Sequence, residues 1–256
     1  MGISGGTYRL TENTYIDFPE TPQSLYMTGY SESVNDVLKL VHEGGHLIHA
    51  KLMSEHRIIP SYASVSEFMF EAFVLLNELL VLDEFKNQNI TIEGKRYYTK
   101  AFLDKLALEV FQSVEEGFFE EGLYERVANH TIKTSTDINN LYTGVKIKYG
   151  PFFLNEPFRN SEWIGKRLVF DDPLYNINYL QAMLLAIKFY TMSHEDPTGF
   201  ALKYKALLQN GFDASASNSL ERFVAIKVDN DALLESNLNL MKEKTTEFSK
   251  LNAFND

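Results

Sequence analysis

The sequence predicts a mostly α-helical protein with a small β element near its N-terminus, and three observations support this. From Ser33 onward, apolar residues recur at helical spacing. Ahead of that point, residues 5–30 are rich in aromatic and β-branched residues set between turn signals. The chain also lacks internal repeats, and its most apolar runs, near Phe73–Leu82 and Leu180–Tyr190, are short and interrupted by Asn77, Glu78 and Lys188. That excludes a bilayer-spanning helix.

Taken in order, Gly5-Gly6 leads into an extended Thr7–Leu10, followed by extended segments at Tyr15–Phe18 and Leu25–Thr28. Val34, Val37, Leu38, Val41, Leu47, Ile48 and Met53 then mark a helix across roughly 33–55, which Pro60 prevents from continuing. Ser64 with Glu67 has the form of a capping box, so a second helix should start there and run to about Phe85. Asn87–Gly94 reads as a loop. Further helices are expected over 95–129 and 135–148, and the second is broken by Tyr149-Gly150-Pro151. Residues 151–172 read as irregular, and helices at about 174–193, 197–210, 217–226 and 229–249 follow.

Composition narrows the function. The 256 residues are 45% hydrophobic and 23% charged, with 24 Lys+Arg against 35 Asp+Glu and a formal net charge of −11. That balance repels a phosphate backbone, so nucleic acid is not an expected partner, and no membrane is either. The absence of cysteine removes disulfides, Cys-ligated zinc and a thiol nucleophile together. It also suits a reducing, cytoplasmic location. Met1–Leu10 has neither a basic nor an apolar stretch of signal-peptide type.

The informative stretch is Val41-His42-Glu43-Gly44-Gly45-His46. Histidines at i and i+4 lie about 40° apart around a helix, so both imidazoles can face one ion. Glu43 sits one position round, able to reach a water on that ion without ligating it. Zinc needs a third protein ligand and an open fourth position. Glu71, on the next helix, can supply that ligand, and Glu67, one turn earlier, is its rival. Two His and one Glu at these places arise by chance in roughly one chain in a hundred of this length, so a metal centre outweighs a solvated surface helix.

The run from Leu40 to His49 resembles the zinc helix of the thimet oligopeptidase and oligoendopeptidase F family, whose pattern is His-Glu-x-Gly-His-x-x-His. The family's second motif, a Glu followed seven residues later by another Glu, resembles Glu71-Ala72-Phe73-Val74-Leu75-Leu76-Asn77-Glu78 and selects Glu71 over Glu67. Gly5-Gly6-Thr7-Tyr8 resembles the family's lead-in strand. Trp163, Phe170, Pro173, Tyr175 and Tyr179 resemble its Tyr-rich stretch, and Leu207–Gly211 with Val228-Asp229 resemble its tail. The resemblance implies a zincin-type catalytic domain over 1–256. Its parts are an extended lead-in at 1–32, zinc-binding helices at 33–90 and a helical remainder at 91–256. Family members are typically longer, and their N-terminal helical part walls a channel that admits short peptides. A missing N-terminal helical half is therefore an expected partner alongside a short peptide substrate.

The implied roles follow residue by residue. One Zn2+ per chain would be held by His42, His46 and Glu71. Glu43 would be general base for the zinc-bound water and then carry its proton to the leaving amine. Glu78 would hold a ligand histidine by a hydrogen bond, and His49 would pack in support rather than ligate. Tyr175 and Tyr179 would donate to the carbonyl oxygen as it becomes an oxyanion. Leu168 stands where the family has a His that aids the same oxyanion, which leaves an inactive zinc-binding scaffold or half of a split peptidase as the competing expectation. Zinc carboxypeptidases with a His-Glu-Gly-Gly-His helix share Gly44, but they carry Glu-Ser-Gln where this chain has Glu71-Ala72-Phe73. Tyr142–Gly144 and Tyr149–Pro151 are expected to line the substrate cleft, and the acidic stretch Glu115–Glu121 to be a solvated helix face.

Overall fold

The computed structural model describes residues 2–3, 14–16, 24–27, 30–63 and 66–253. Three short strands, β1 (Gly2–Ile3), β2 (Thr14–Ile16) and β3 (Ser24–Met27), form a sheet in the order β1-β3-β2. β3 runs parallel to β1 and antiparallel to β2. The expected extended run at Thr7–Leu10 falls outside the described residues.

Helix α1 (Val34–Glu55) begins where its chemistry allows. The Ser33 hydroxyl accepts from the Asp36 N–H, and the Asp36 carboxylate turns back to the Ser33 and Ser31 backbones. A 3-10 turn at Pro60–Tyr62 separates it from α2 (Glu67–Gln88). The residue before that helix is Ser66, which makes no side-chain cap bond, and Ser64 of the expected capping box lies outside the described residues. α3 (Ile92–Ala107), a π-helical turn (Leu108–Gln112) and α4 (Ser113–Ala128) make up the long helix predicted at 95–129. α5 (Ser135–Tyr149) starts from a second reciprocal cap between Thr134 and Asp137.

The stretch read as irregular is two 3-10 segments, Pro151–Asn155 and Pro157–Gly165, and a single turn, α6 (Leu168–Asp171). α7 (Asn176–Glu195), α8 (Pro197–Asn210), α9 (Ala216–Val224) and α10 (Asn230–Asn252) follow. No helix among the described residues is long and apolar enough to cross a membrane.

The chain divides into two compact units, one of residues 1–103 and 182–256, the other of 104–181. In the first, α2 is central. It buries Met69, Ala72, Phe73, Val74, Leu75, Leu76, Leu79 and Leu82 on all sides, together with the acids Glu71, Glu78 and Asp83. A helix apolar all round has no face for water and must be surrounded. α1 packs along it, α8 packs against α1, and α9 packs on α8. Gly211 closes α8 at φ +67°, where a β-carbon would meet Ile58 at 2.7 Å and the Tyr62 carbonyl at 2.9 Å.

The second unit packs Phe119, Leu123, Leu141, Tyr142, Val145, Phe153, Trp163 and Val169 into one core. Two expectations are corrected here. Tyr142–Gly144 is not a cleft loop but part of α5, and Tyr142 is 2% exposed because its ring packs edge-on against Phe119. The acidic stretch is a solvated face only at Glu121. Glu115, Glu116 and Glu120 are buried, the first two paired with Lys146 and Lys166. A buried charge persists where a partner is held against it, and both lysines lie beyond the reach of local sequence spacing.

Candidate metal centre

The centre is built where α1 and α2 come closest. A β-carbon at Gly45 would lie 2.6 Å from Asn77 Nδ2 and 2.8 Å from Val74 Cγ1, so glycine permits the approach. That approach presents one turn of α1 to the acids of α2. His42 Nε2 lies 3.3 Å from Glu71 Oε2, and His46 Nε2 lies 3.9 Å from Glu71 Oε1. Among the described residues, His42, His46 and Glu71 form a group whose ligand atoms all lie within 4.8 Å of one another.

These separations suit a metal ion. Four ligands at about 2.1 Å in a tetrahedron stand about 3.4 Å apart, close to the 3.3 and 3.9 Å seen. The electrostatics agree. Glu71 and Glu78 are 4% and 3% exposed, two carboxylates placed where water cannot compensate them. Burial works against a charge on His42, but the hydrogen bonds and charges of Glu71 and Glu78 outweigh it and raise its pKa to about 10. The pocket favours positive charge. Burial, the largest influence on His46, drives its pKa down to about 3, which keeps its imidazole neutral. Neutral imidazole is the form a metal needs.

Glu78 fixes the orientation of His42. Its Oε1 lies 2.9 Å from His42 Nδ1. A carboxylate accepts, so Nδ1 carries the hydrogen and Nε2 faces Glu71. Glu43 is half-buried on the next face of α1, and burial, the largest influence on it, raises its pKa.

His49 is 2% exposed and packs edge-on against Phe73 at 5.0 Å and Phe212 at 5.8 Å; burial lowers its pKa to about 4. It is a core histidine beside the cluster, not one of the group of three.

Tyr175 and Tyr179 belong to the other compact unit, where their rings lie 5.5 Å apart. Leu168 opens the short α6 in that same unit. Sequence reasoning missed Phe70, whose ring stacks on His46 at 4.1 Å and 14°. Spacing gave no sign of it. Gly45 could have been found, since a glycine inside a helix costs about 1 kcal/mol and so marks a close approach.

The model of Peptidase family M3 matches residues 11–238. An oligoendopeptidase F homolog from Borreliella burgdorferi is 23% identical over 222 residues, covering 86% of this chain and 37% of its own length. The chain thus spans little more than a third of the curated relatives it matches. Among solved structures, PZ peptidase A with an inhibitor superposes at a TM-score of 0.75 with 18% identity, over 94% of this chain and 41% of that one. Oligoendopeptidase-F from Enterococcus faecium superposes at 0.68 with 18% identity, over 86% of this chain and 40% of the other.

Proposed function

The chain belongs to peptidase family M3, a family of metallopeptidases, and from that premise we propose that it is the catalytic core of a zinc endopeptidase cleaving short, unstructured peptides. One observation carries the reading: two imidazole nitrogens and a Glu71 oxygen converge within 4.8 Å, with Glu43 one position from His42 on the same helix. Two histidines and a carboxylate leave zinc an open position.

Held by His42, His46 and Glu71, zinc would supply Lewis acidity to a water and to the scissile carbonyl. The chain's own groups do the rest. Glu43 takes the proton of the attacking water and passes it to the leaving amine, and its raised pKa brings it nearer to neutral pH, where proton exchange is efficient. Glu78 keeps the His42 ring turned so that Nε2 faces Glu71, where it would serve as a ligand. His49 and Phe70 pack the ligand-bearing turn. Tyr175 and Tyr179 donate to the carbonyl oxygen as charge builds on it; that assignment, like the preference for short peptides, rests on the resemblance of their sequence stretch. A cytoplasmic location fits the absence of cysteine.

The test is Glu43→Gln. Zinc content should be retained while hydrolysis of a quenched-fluorescent peptide is lost, and persistence of hydrolysis sinks the mechanism. Leu168 supports a second reading, a zinc-retaining module that binds peptides without turnover. Cleavage by the wild-type chain that disappears with a chelator excludes it.

A further inference from the structure

The turn that launches the tyrosine-bearing helix rests on a backbone conformation its residue does not favour. Asp172, Pro173, Leu174 and Tyr175 form a β-turn closed by the Tyr175 N–H donating to the Asp172 carbonyl at 3.1 Å. Proline suits the second position of such a turn. Leu174 occupies the third with φ +64°, a region that glycine or asparagine enters easily and leucine does not. Its side chain is 47% exposed, so packing does little to offset the strain.

A group from 54 residues earlier does hold it. Glu120, on α4 and 0% exposed, accepts the Leu174 N–H at 3.0 Å. Asn176, the first residue of α7, is itself 7% exposed. The Tyr124 hydroxyl donates to the Val169 carbonyl at 2.8 Å, tying the approach to the turn as well. Its neighbours on α4 behave differently: Glu115 and Glu116 are neutralised by lysines, whereas Glu120 accepts an uncharged N–H of this turn. Burial raises its pKa accordingly. A fully buried carboxyl is a poor choice for filling a core, and here it is aimed at one strained residue next to Tyr175.

We propose that Glu120 is a positioning residue for Tyr175 and Tyr179, holding the turn that carries Tyr175 and starts the first turn of α7, which carries Tyr179. This rests on reading those tyrosines as oxyanion donors. Small misplacements of such donors are felt in turnover more than in binding.

The experiment uses the zinc-loaded full chain, with steady-state kinetics and amide hydrogen exchange over residues 172–179. Glu120→Ala should lower kcat on the order of tenfold to a hundredfold while KM stays within about twofold. Exchange should quicken in the turn and the first turn of α7. Glu120→Gln, whose amide oxygen can accept the same N–H, should restore both. In a Leu174→Gly background, where the turn needs no clamp, Glu120→Ala should cost less than about threefold in kcat and barely alter exchange. Equal losses in both backgrounds, or unchanged exchange on Glu120→Ala, overturn the proposal. If Glu120→Ala alone does not fold, the double variant decides: folding with Leu174→Gly supports the clamp, and failure to fold overturns it. Should Tyr175→Phe and Tyr179→Phe both keep full kcat, the oxyanion reading falls, and the exchange comparison judges the clamp by itself.

Discussion

Replacing Gly45 by alanine tests whether the approach of α1 to α2 builds the centre. The new methyl would stand 2.6 Å from Asn77 Nδ2 and 2.8 Å from Val74 Cγ1. Comfortable contacts lie at about 3.5–4.0 Å, so the overlap is roughly 1 Å. The Asn77 amide can swing away. Val74 cannot, since it is 0% exposed and stiff at its branched β-carbon. The helices must part by something close to the overlap. Overpacking of this kind costs about 1–3 kcal/mol, and the helix preference of alanine over glycine returns about 1 kcal/mol, leaving a net loss of about 0–2 kcal/mol. The effect on the metal is larger in proportion. His42 and His46 now stand 3.3 and 3.9 Å from Glu71, and adding most of an ångström carries the first past a tetrahedral edge of about 3.4 Å and the second farther beyond it. Zinc affinity should fall about tenfold to a hundredfold, the usual result of disturbing a ligand's support. Gly44→Ala is the control, because no heavy atom lies within 4 Å of its β-carbon. It should gain about 1 kcal/mol and bind zinc unchanged. Thermal unfolding and zinc titration against a competing chelator read both effects. If Gly45→Ala gains as much stability as Gly44→Ala and binds zinc as tightly, the close approach is not what shapes the site.

Other outcomes follow from the same geometry. Glu78→Gln should weaken zinc about tenfold to a hundredfold by removing the negative charge behind His42; unchanged affinity in a competition titration removes Glu78 from the centre. Phe70→Ala deletes the half-buried ring stacked on His46 and should lower stability in thermal unfolding by less than the roughly 3–5 kcal/mol of a fully buried ring, together with weaker zinc binding. Adding zinc at about a thousand times its Kd should stabilise the chain by about 4 kcal/mol, and a chelator should reverse this; an unmoved unfolding transition argues against a site at these residues. Burial opposes the charge of Asp83, but Lys86 and Lys244 outweigh it and hold the carboxyl well below the usual range. Its folded pKa is therefore depressed. The stability it contributes is complete above the unfolded value of about 3.9 and is lost as pH falls through the folded one. Asp83→Asn should flatten that acid limb. Near pH 7 it should cost about 3 kcal/mol, because among the described residues the ammonium of Lys244, 5% exposed, then keeps Glu247 at 3.6 Å as its one carboxylate. Urea unfolding against pH measures both.

Local features of this fold were legible in the sequence, and relations across long separations were not. The α1 boundaries could be read because their cause is local: Ser33 and Asp36 are three residues apart. The pairing of His42 with His46 is likewise one helical turn. Glu71 needed more than spacing, since Glu67 lay one turn away with equal standing until the resemblance decided between them. The segment after Gly150 resisted periodicity for a physical reason: Pro151 and Pro157 start separate 3-10 pieces, too short to show a repeat. The acids at Glu115, Glu116 and Glu120 were misread because a run of carboxylates normally faces water, and their partners come from 31, 50 and 54 residues downstream. The Phe70 ring on His46 and the positive φ of Leu174 left no trace in composition or period.

The burial of α2 on every side has a consequence for anyone wishing to move this centre into another scaffold. The segment His42–His46 looks transplantable, since any amphipathic helix can display it. The carboxylates it needs are carried by a rod that buries every residue over Met69–Leu79 except the half-buried Phe70 and Asn77, and that is braced farther along by Asp83 against Lys244 of α10. Grafting the histidines alone would move half a binding site. Grafting the rod as well means importing its surrounding helices, so the smallest portable unit of this chemistry is close to a whole folding unit.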